Sequence, residues 1–291
     1  MSGVDLEDAR GRLAAHWGAA PPLGEVYVAH RERVVFATRD PAGRRVVVKA
    51  DVDPDRLARE VAVTRAASAA IRVPAVVAHL PGLLVMSWVG GDPVVAASPD
   101  EHWAAVAGAL RRLHDTAPIA GLPSFLESGG GIAESRDWWA GIAAWLDRER
   151  RRCQDRGAPP AEVLNPLCDL AAAGFAGQPT PPMRLLHGDA DSFHWRCDPA
   201  TRAVTAIDLG DAGVGDPAWD LVVLTHWNDT RLPAVLDGYG ADAATRARLG
   251  QLYEPYRTLR HLAAINWLVD HGYDPTPTVE ELTRVSRCRP R

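Results

Sequence analysis

The stretches LLHGDADSFHW at residues 185–195 and AIDLGDAGVGDPAWDL at residues 206–221 decide how this chain is interpreted. Each contains a short apolar run that ends at an acidic residue, and both are rich in Asp and Gly. Two carboxylates on neighbouring loops can divide the work of phosphoryl transfer. One orients or deprotonates an acceptor hydroxyl, and the other holds the metal ion that neutralises nucleotide phosphates.

This pair of stretches resembles the catalytic loop and the metal-binding loop of the aminoglycoside phosphotransferase family, the small-molecule relatives of the protein kinases. The resemblance places Asp189 on the catalytic aspartate and Asp208 on the metal-binding aspartate. It implies an α+β, bilobal, protein-kinase-like fold. Residues 1–88 would form a small β-rich nucleotide-binding lobe that ends in the hinge. Residues 89–291 would form a larger, mostly helical lobe with the catalytic and substrate-binding loops.

The hydrophobic patterning predicts elements that agree with this division. Residues 25–50, then AVVAHL and LLVMSWV, are typical of strands, and Asp53-Pro54 begins a helix that runs to about residue 70. Two short strands are expected near residues 193–197 and 203–208, and the loop 118–134 is expected to be mobile. Further helices are predicted at roughly 99–116, 135–155, 160–176, 217–228, 243–271 and 277–287.

Lys49 ends the β-branched run VVVK, and Glu60 lies eleven residues later on the following helix. In a kinase-like fold, such a lysine contacts the α- and β-phosphates and the helical glutamate holds it in place. The alternative is a surface lysine and a solvated glutamate. No GxGxxG motif precedes Lys49. Arg31 or Arg33 could approach the phosphates there, but we interpret both as solvated turn charges.

The segment LLVMSWVGG resembles the inter-lobe linker of the family. Met86 would lie at the back of the nucleotide pocket. The backbone carbonyl of Ser87 and the amide of Val89 would pair with adenine, since an extended linker presents alternate groups to one side. Trp88 would point away. The linker does not exclude guanine, so the expected donor is ATP, with GTP possible.

His194 departs from the usual pattern, because the family generally has Asn at this position. Magnesium prefers oxygen ligands, so an imidazole ligand looks unfavourable at first. The macrolide phosphotransferases, however, resemble this chain in having His there. We therefore predict that His194 and Asp208 bind Mg²⁺ together with the nucleotide. The competing interpretation is a packed histidine, with water replacing the missing ligand.

Several polar residues around these loops are expected to support the site. His187 would brace the catalytic loop, Asp220 would hydrogen-bond to it, and Asp216 would cap the next helix. His114, in ALRRLHD, would be packed. Asp191 could hold a substrate amine or assist the metal indirectly, and a solvated loop aspartate is an equal alternative.

The identity of the acceptor is left open by the sequence. An aromatic cleft would favour a sugar ring or a bulky apolar antibiotic, whereas acidic residues would favour a polycation such as an aminoglycoside. The aromatic candidates are Trp138, Trp139, Trp145, Trp219, Trp227, Tyr253, Tyr256 and Trp267. The acidic candidates are Asp191, Asp211, Asp229, Asp237 and Glu254.

The composition is that of a soluble enzyme. The net charge of −5 does not suggest a nucleic-acid partner, and 47% hydrophobic with 24% charged residues is ordinary for a globular protein. The four cysteines, at positions 153, 168, 197 and 288, form no CxxC motif and are interpreted as reduced thiols. No signal peptide or membrane-spanning run is apparent, so we expect a cytoplasmic protein that is a monomer or weak dimer.

The resemblance therefore implies a small-molecule O-phosphotransferase. It would transfer the γ-phosphoryl group of ATP or GTP, with Mg²⁺, to a hydroxyl of an aminoglycoside, a macrolide or a related compound, and so confer resistance. One alternative is a metabolic kinase acting on a sugar or an amino alcohol. Another is a nucleotide-binding pseudoenzyme. The loss of Asn at His194 favours it, and the retention of Lys49, Asp189 and Asp208 opposes it.

Overall fold

The computed structural model describes residues 3–117, 119–128 and 137–287. The fold is α+β, as predicted: an antiparallel sheet forms most of the N-terminal region, and helices form most of the remainder. The predicted division at residue 88 stays a prediction. Of the predicted mobile loop 118–134, residues 118 and 129–134 lie outside the described residues.

The N-terminal sheet has a helix on each face. Its strands are β1 (Val26–His30), β2 (Arg33–Arg39), β3 (Arg45–Asp51), β4 (Val76–Leu80) and β5 (Leu83–Ser87), in the order β1-β2-β3-β5-β4. Alternate residues of β5 point to opposite faces. Leu83 and Val85 pack in one buried cluster with α1 (Leu6–Trp17), whereas Leu84 and Met86 pack with α2 (Pro54–Ala67).

The start of α2 agrees with the prediction, and α1 is an element that the sequence analysis missed. Asp53 caps α2 by accepting hydrogen bonds from the amides of Asp55 and Arg56 at 3.0 and 3.2 Å. In α1, only Ala9 and Leu13 are buried. Two buried residues do not produce a clear helical period, which explains why the pattern was overlooked.

The C-terminal region contains all six predicted helices within the described residues. The helices are α3 (Asp100–His114), α4 (Phe125–Ser128), α5 (Trp138–Arg156), α6 (Ala161–Phe175), α7 (Pro217–Thr225), α8 (Leu232–Tyr239), α9 (Ala243–Asp270) and α10 (Thr276–Arg287). The short α4 and α8 were not predicted. In α8, Gly238 allows close contact with α3, because a Cβ atom there would lie 2.3 Å from the carbonyl oxygen of Ala104.

Five short strands bring the two acidic loops together. They are β6 (Asp92–Pro93), β7 (Arg184–Leu186), β8 (Trp195–Cys197), β9 (Val204–Ala206) and β10 (Gly213–Gly215). Strand β7 pairs with β10, and β8 pairs with β9. Asp189 follows β7 and Asp208 follows β9, and Asp208 reaches Lys49 on β3 of the N-terminal sheet.

The larger hydrophobic core lies in the C-terminal region. It buries many of the aromatic residues that were candidates for binding the acceptor. Trp138, Trp145, Trp219 and Tyr256 are buried, whereas Trp227 and Trp267 are exposed by 39% and 47%. The buried residues therefore stabilise the fold, and the exposed pair remains available to a ligand. No described helix combines the length and apolarity needed to cross a bilayer.

Candidate active site

Lys49 lies between two carboxylates from different parts of the chain. Its Nζ atom is 2.5 Å from Oε1 of Glu60 on α2 and 2.8 Å from Oδ1 of Asp208. Lys49 and Glu60 are both buried. Although burial opposes it, the charges of Asp208 and Glu60 raise the pKa of Lys49, so the ammonium form is maintained. The alternative of a surface lysine and a solvated glutamate is wrong.

Arg33 is a second cation in this region, and its interpretation as a solvated charge is also wrong. It is buried, and its Nε atom donates a hydrogen bond to Oδ2 of Asp51 at 2.8 Å. Arg31, by contrast, is exposed. Against the effect of burial, Lys49 and Arg33 hold the pKa of Asp208 well below its usual range. Asp208 is therefore an ionised carboxylate that can hold a cation.

The backbone at Asp208 is in the left-handed region, with φ of 61°. Asp adopts this region more readily than most residues, but it still requires support from its surroundings. Here the ion pair with Lys49 supplies that support. The carboxylate faces the sheet, where it contacts Lys49 on β3.

A buried carboxylate on α7 holds the catalytic loop. Asp220 accepts hydrogen bonds from the amides of His187 and Gly188 at 2.7 and 3.0 Å, and its Oδ2 atom lies 3.0 Å from Nε2 of His114. The ring of His187 in turn bonds to the carbonyl of Ile207 at 3.1 Å. These contacts confirm the predicted bracing roles of His187 and Asp220 and the packed environment of His114.

Asp216 is structural, as predicted. It caps α7 by accepting a hydrogen bond from the amide of Ala218 at 3.1 Å. Both of its oxygens also bind the guanidinium of Arg248, at 2.8 and 2.7 Å, and Oδ2 accepts a hydrogen bond from Tyr256 at 2.7 Å. A fully buried carboxylate with this many donors is already satisfied, so it has no capacity for substrate.

Asp189 is paired with an arginine that the sequence analysis missed. Its Oδ1 atom accepts a hydrogen bond from Nη2 of Arg260 on α9 at 2.8 Å. Although burial opposes it, Arg260 and His194 lower the pKa of Asp189. The carboxylate is therefore ionised and can accept a hydrogen bond from a hydroxyl. Arg260 is 71 residues from Asp189 in the chain, so no local motif could have identified it.

His194 lies between the carboxylates of Asp189 and Asp208. Its Nδ1 atom is 2.8 Å from the carbonyl oxygen of Asp189, and because a carbonyl only accepts, Nδ1 carries the proton. In the neutral ring, the Nε2 lone pair then faces Oδ2 of Asp208 at 4.0 Å. Despite burial, Asp189 and Asp208 raise the pKa of His194. Nε2 of His194 and the carboxylate of Asp208 therefore face the same small region between them.

This pair of ligand atoms fits a metal that is bound together with substrate phosphates. The described residues contain no cluster of three or more His, Cys, Asp or Glu side chains with metal-site geometry. Magnesium, however, is commonly held by one or two protein ligands, with water and nucleotide phosphates completing its coordination. The donor set of His194 and Asp208 is therefore compatible with a nucleotide-dependent site.

The predicted linker begins within strand β5 and continues beyond the end of that strand at Ser87. Met86 is buried against α2, and the amide of Ser87 donates to the carbonyl of Ala75 at 2.8 Å. The ring of Trp88 packs under the guanidinium of Arg45, with Cζ 3.7 Å from the ring centroid. Within the described parts of the chain, the amide of Val89 has no hydrogen-bond acceptor. Adenine pairing by Ser87 and Val89 remains a prediction.

Most of the acidic candidates for binding a polycation already have arginine partners. The pairs are Asp211 with Arg56 at 2.6 Å, Asp229 with Arg257 at 3.1 Å, Glu254 with Arg257 at 2.7 Å, and Asp237 with Arg246 at 2.7 Å. The remaining candidate, Asp191, is buried beside His226. Four of the five candidates are therefore in ion pairs and the fifth is buried, whereas the aromatic side chains of Phe193 and Trp227 are half-exposed.

Proteins of known activity share this sequence pattern and this fold. A family model described as "Phosphotransferase enzyme family" matches residues 28–258. Streptomycin 3''-kinase of Streptomyces griseus is 30% identical over 209 residues, which cover 65% of this chain and 75% of the relative.

Solved structures share the fold, among them the following two. Macrolide 2'-phosphotransferase type I has a TM-score of 0.67 at 18% identity, covering 98% of each chain. A thermostable mutant of aminoglycoside phosphotransferase APH(4)-Ia, in ternary complex with ADP and hygromycin B, has a TM-score of 0.70 at 15% identity. That match covers 96% of this chain and 97% of the other.

Proposed function

Because this chain belongs to the phosphotransferase enzyme family and is a kinase with a hydroxyl acceptor, we propose that it phosphorylates an antibiotic. The γ-phosphoryl group of ATP, or of GTP, would pass to a hydroxyl of an aminoglycoside, a macrolide or a related compound, and would make the compound ineffective. One observation carries this proposal: the imidazole of His194 lies 3.5 Å from Asp189 and 4.0 Å from Asp208. The two carboxylates that phosphoryl transfer requires thus flank one side chain.

The nucleotide would bind between the sheet and the acidic loops. Lys49 would contact the α- and β-phosphates, held in place by its 2.5 Å contact with Glu60. The carbonyl of Ser87 and the amide of Val89 would pair with the base, with Met86 behind it. Pairing through backbone groups accepts adenine and can also accept guanine, so both nucleotides belong in the test.

The catalytic chemistry would fall to Asp189. Its carboxylate would accept a hydrogen bond from the acceptor hydroxyl, orient the oxygen in line with the γ-phosphorus, and take the proton as the new P–O bond forms. Arg260 keeps this carboxylate ionised. His194 and Asp208 would hold Mg²⁺, which neutralises the phosphates when it is bound.

A screen of nucleotide consumption would test the proposal. Purified enzyme is incubated with ATP or GTP and Mg²⁺ against aminoglycosides, macrolides, sugars and amino alcohols, with Asp189→Asn as the inactive control. We expect acceptor-dependent turnover with at least one antibiotic. Expression in a sensitive bacterium should raise the inhibitory concentration of the same compound. Turnover of an ordinary sugar or amino alcohol alone, with no protection by expression, would refute the antibiotic assignment.

A metabolic kinase is the second candidate, and one observation favours it. Four of the five acidic candidates are already in ion pairs, with the three arginines Arg56, Arg246 and Arg257. A small sugar or amino alcohol needs less negative charge around it than a polycation does. The pseudoenzyme alternative is disfavoured, because Lys49, Asp189 and Asp208 are retained and lie around one cleft. The same screen separates all three.

A further inference from the structure

Arg33 lies on the same face of the N-terminal sheet as Lys49. Arg33 pairs with Asp51 across β2 and β3, and Val35 pairs with Lys49. Paired residues of an antiparallel ladder point to the same face, and so do alternate residues of one strand. All four side chains therefore point to the face on which Asp208 contacts Lys49. Along the strands, Arg33 is two residues, or about 7 Å, nearer the β1–β2 turn than Lys49.

A single carboxylate holds the guanidinium of Arg33 and leaves most of its donors unused. Nε of Arg33 donates to Oδ2 of Asp51 at 2.8 Å, and Oδ1 of Asp51 accepts a hydrogen bond from the amide of Asp53 at 2.9 Å. The side chain of Arg33 is only 10% exposed. In the described part of the chain, neither terminal nitrogen donates a hydrogen bond, and Nη2 is buried. A buried donor without a partner is uncommon in a folded protein and requires an explanation.

Other arginines with an unpartnered buried nitrogen differ from Arg33. In the described ranges, the unpartnered atom of each of these arginines is Nε, and a terminal nitrogen binds a carboxylate. They are Arg10, Arg56, Arg59, Arg257 and Arg260. Arg33 has the opposite arrangement, because its Nε is bound and its terminal nitrogens are available to a ligand.

Two further carboxylates act on Arg33 from a distance. Asp208 and Asp211 raise its pKa although burial opposes them, so the guanidinium is charged. Asp208, however, pairs with Lys49, and Asp211 pairs with Arg56. Among the described residues, Asp51 is the only carboxylate within ion-pair distance of Arg33. The cation therefore lies near the proposed metal ligand Asp208 without pairing with it.

The hairpin that carries Arg33 is too short to wrap around phosphates. The turn between β1 and β2 contains only Arg31 and Glu32. Backbone hydrogen bonds of 3.0 Å anchor it, from the amide of Val4 to the carbonyl of Arg31 and from the amide of Val52 to the carbonyl of Glu32. In protein kinases, a Gly-rich loop covers the phosphates. Here the available donor is a side chain on a fixed strand.

Lys49 alone offers few donors to a nucleotide. Its ammonium group has three N–H bonds, and its nitrogen already contacts Glu60 and Asp208. A triphosphate presents many more acceptor oxygens than one remaining N–H bond can satisfy. Arginine suits this task, because its planar guanidinium can bind two phosphate oxygens at once.

Strand β3 sets the order in which a nucleotide would meet these groups. Val46 pairs with Ser87 of the proposed base-binding linker, and Lys49 lies three residues farther along β3. Arg33 is opposite Asp51, at the far end of the strand. Since Lys49 is the proposed contact of the α- and β-phosphates, Arg33 lies on the side of the outer phosphates.

We propose that Arg33 binds the β- and γ-phosphates of the nucleotide through its terminal nitrogens, in place of the amides of a Gly-rich loop. This inference deepens the proposed function, because it rests on the nucleotide site around Lys49 and Asp208. It does not depend on the identity of the acceptor.

Nucleotide binding tests this assignment without turnover. AMP, ADP and a non-hydrolysable ATP analogue are titrated calorimetrically, each with excess Mg²⁺, into the native enzyme and into Arg33→Gln. We expect the variant to lose about 10- to 100-fold in affinity for the ATP analogue, since hydrogen bonds to charged groups are lost. The loss should be smaller for ADP, and the affinity for AMP should be unchanged. Equal losses for the three nucleotides, or no loss for the ATP analogue, would overturn the proposal.

Two further variants separate phosphate binding from a structural role. Arg31→Gln changes an exposed arginine of the same hairpin, so it should leave all three affinities unchanged. Arg33→Lys keeps a cation beside Asp51, which preserves folding if Arg33→Gln is unstable. A lysine cannot hold Asp51 and also bind two phosphate oxygens with a planar fork, so the same ranking of losses is expected. Full affinity of Arg33→Lys for the ATP analogue would refute the role of Arg33.

The two proposals fail in different ways. A native enzyme that binds none of the three nucleotides refutes the proposed function. Native binding, combined with equal losses for AMP and the ATP analogue in the Arg33 variants, refutes only the role of Arg33. Absence of phosphorylation of any antibiotic in the screen leaves the affinity ranking of the nucleotides intact.

Discussion

Asp189 and Asp208 lie on neighbouring loops, and we propose different tasks for them because their partners differ. Asp189 is bonded to Arg260 and has an oxygen left for a hydroxyl, whereas Asp208 is bonded to Lys49 beside a potential metal position. Asp189→Asn should retain nucleotide affinity and lower kcat by about 100- to 10,000-fold, because hydroxyl positioning and proton acceptance are lost. Asp208→Ala should instead abolish productive binding of the metal–nucleotide complex.

Nucleotide titrations and single-turnover kinetics with a verified acceptor would distinguish these two effects. Near wild-type turnover in Asp189→Asn would show that the catalytic loop has been wrongly assigned.

His194 allows a second test at the residue scale. His194→Asn replaces the imidazole with an oxygen ligand, and it should keep the magnesium concentration for half-maximal activity within a fewfold of the original. His194→Ala should raise that requirement sharply, since one of the two proposed protein ligands would be lost. Manganese should activate the native enzyme well, because an imidazole ligand suits transition metals. An unchanged metal requirement in the alanine variant would make His194 a packing residue.

The residues that were recognised in the sequence are those with a local signature. Lys49 ends a β-branched run, and Asp208 precedes a glycine at the end of a strand. Arg33 and Arg260 carry no such signature, because their importance comes from carboxylates that are distant in sequence. Asp191 was recognised, but its burial depends on packing against α7 and α9. Sequence patterns reflect residues that are close along the chain, so they do not reveal these long-range pairs.

At the scale of elements, the catalytic loop depends on one glycine. Gly188 has φ of 85°, and a Cβ atom there would lie 2.1 Å from the carbonyl oxygen of Asp211. Gly188→Ala should therefore displace the loop and reduce both activity and stability. Gly43 has a similar φ of 78° with open space around it, so Gly43→Ala should cost only about 1–2 kcal/mol of backbone strain.

Chemical unfolding and kcat for the two glycine variants would measure the difference. Equal losses of stability, with activity retained in both variants, would show that the close approach of Gly188 to Asp211 does not determine the position of the loop.

Elements with strong periodicity or clear caps were predicted well. The capped start of α2 and the long α9 are examples, since Asp53-Pro54 and a sustained helical period are visible in the chain. Strands β7 and β10 were missed, because each has three residues and is defined only by its partner. The site is built on such short elements, so its geometry was less predictable than the fold.

At the scale of the molecule, buried histidines make stability depend on pH. Burial lowers the pKa of His261 to about 3 and that of His226 well below 6.5. Below the ordinary value of 6.5, the unfolded chain binds protons that the folded chain does not, so the free energy of unfolding falls as pH falls. Asp191, with its pKa raised to about 6, opposes this trend by gaining a proton in the folded state.

Burial also lowers the pKa values of His30 and His187. These four histidines outnumber Asp191 and His194, whose pKa values are raised, so the net effect between pH 6.5 and 4 should be destabilisation on acidification. His261→Gln should reduce the slope of unfolding free energy against pH in this window, by up to about 1.4 kcal/mol per pH unit. Urea unfolding at several pH values would measure it. Identical slopes in the native and variant proteins would show that His261 is not neutral in the folded state.

The hydrogen bond between Arg260 and Asp189 affects how much nucleotide a cell would lose to hydrolysis in the absence of an acceptor. An enzyme that meets its acceptor only occasionally will waste nucleotide if water reacts in place of the missing alcohol. Here the guanidinium of Arg260 binds one oxygen of Asp189 at 2.8 Å and, despite burial, lowers the pKa of the carboxylate, so Asp189 is a weaker base towards a water molecule at its other oxygen. An acceptor anchored through further contacts depends less on that basicity than water does. Arg260→Gln should therefore increase acceptor-independent nucleotide hydrolysis relative to acceptor phosphorylation, and the bacterium carrying it would lose energy while no drug is present.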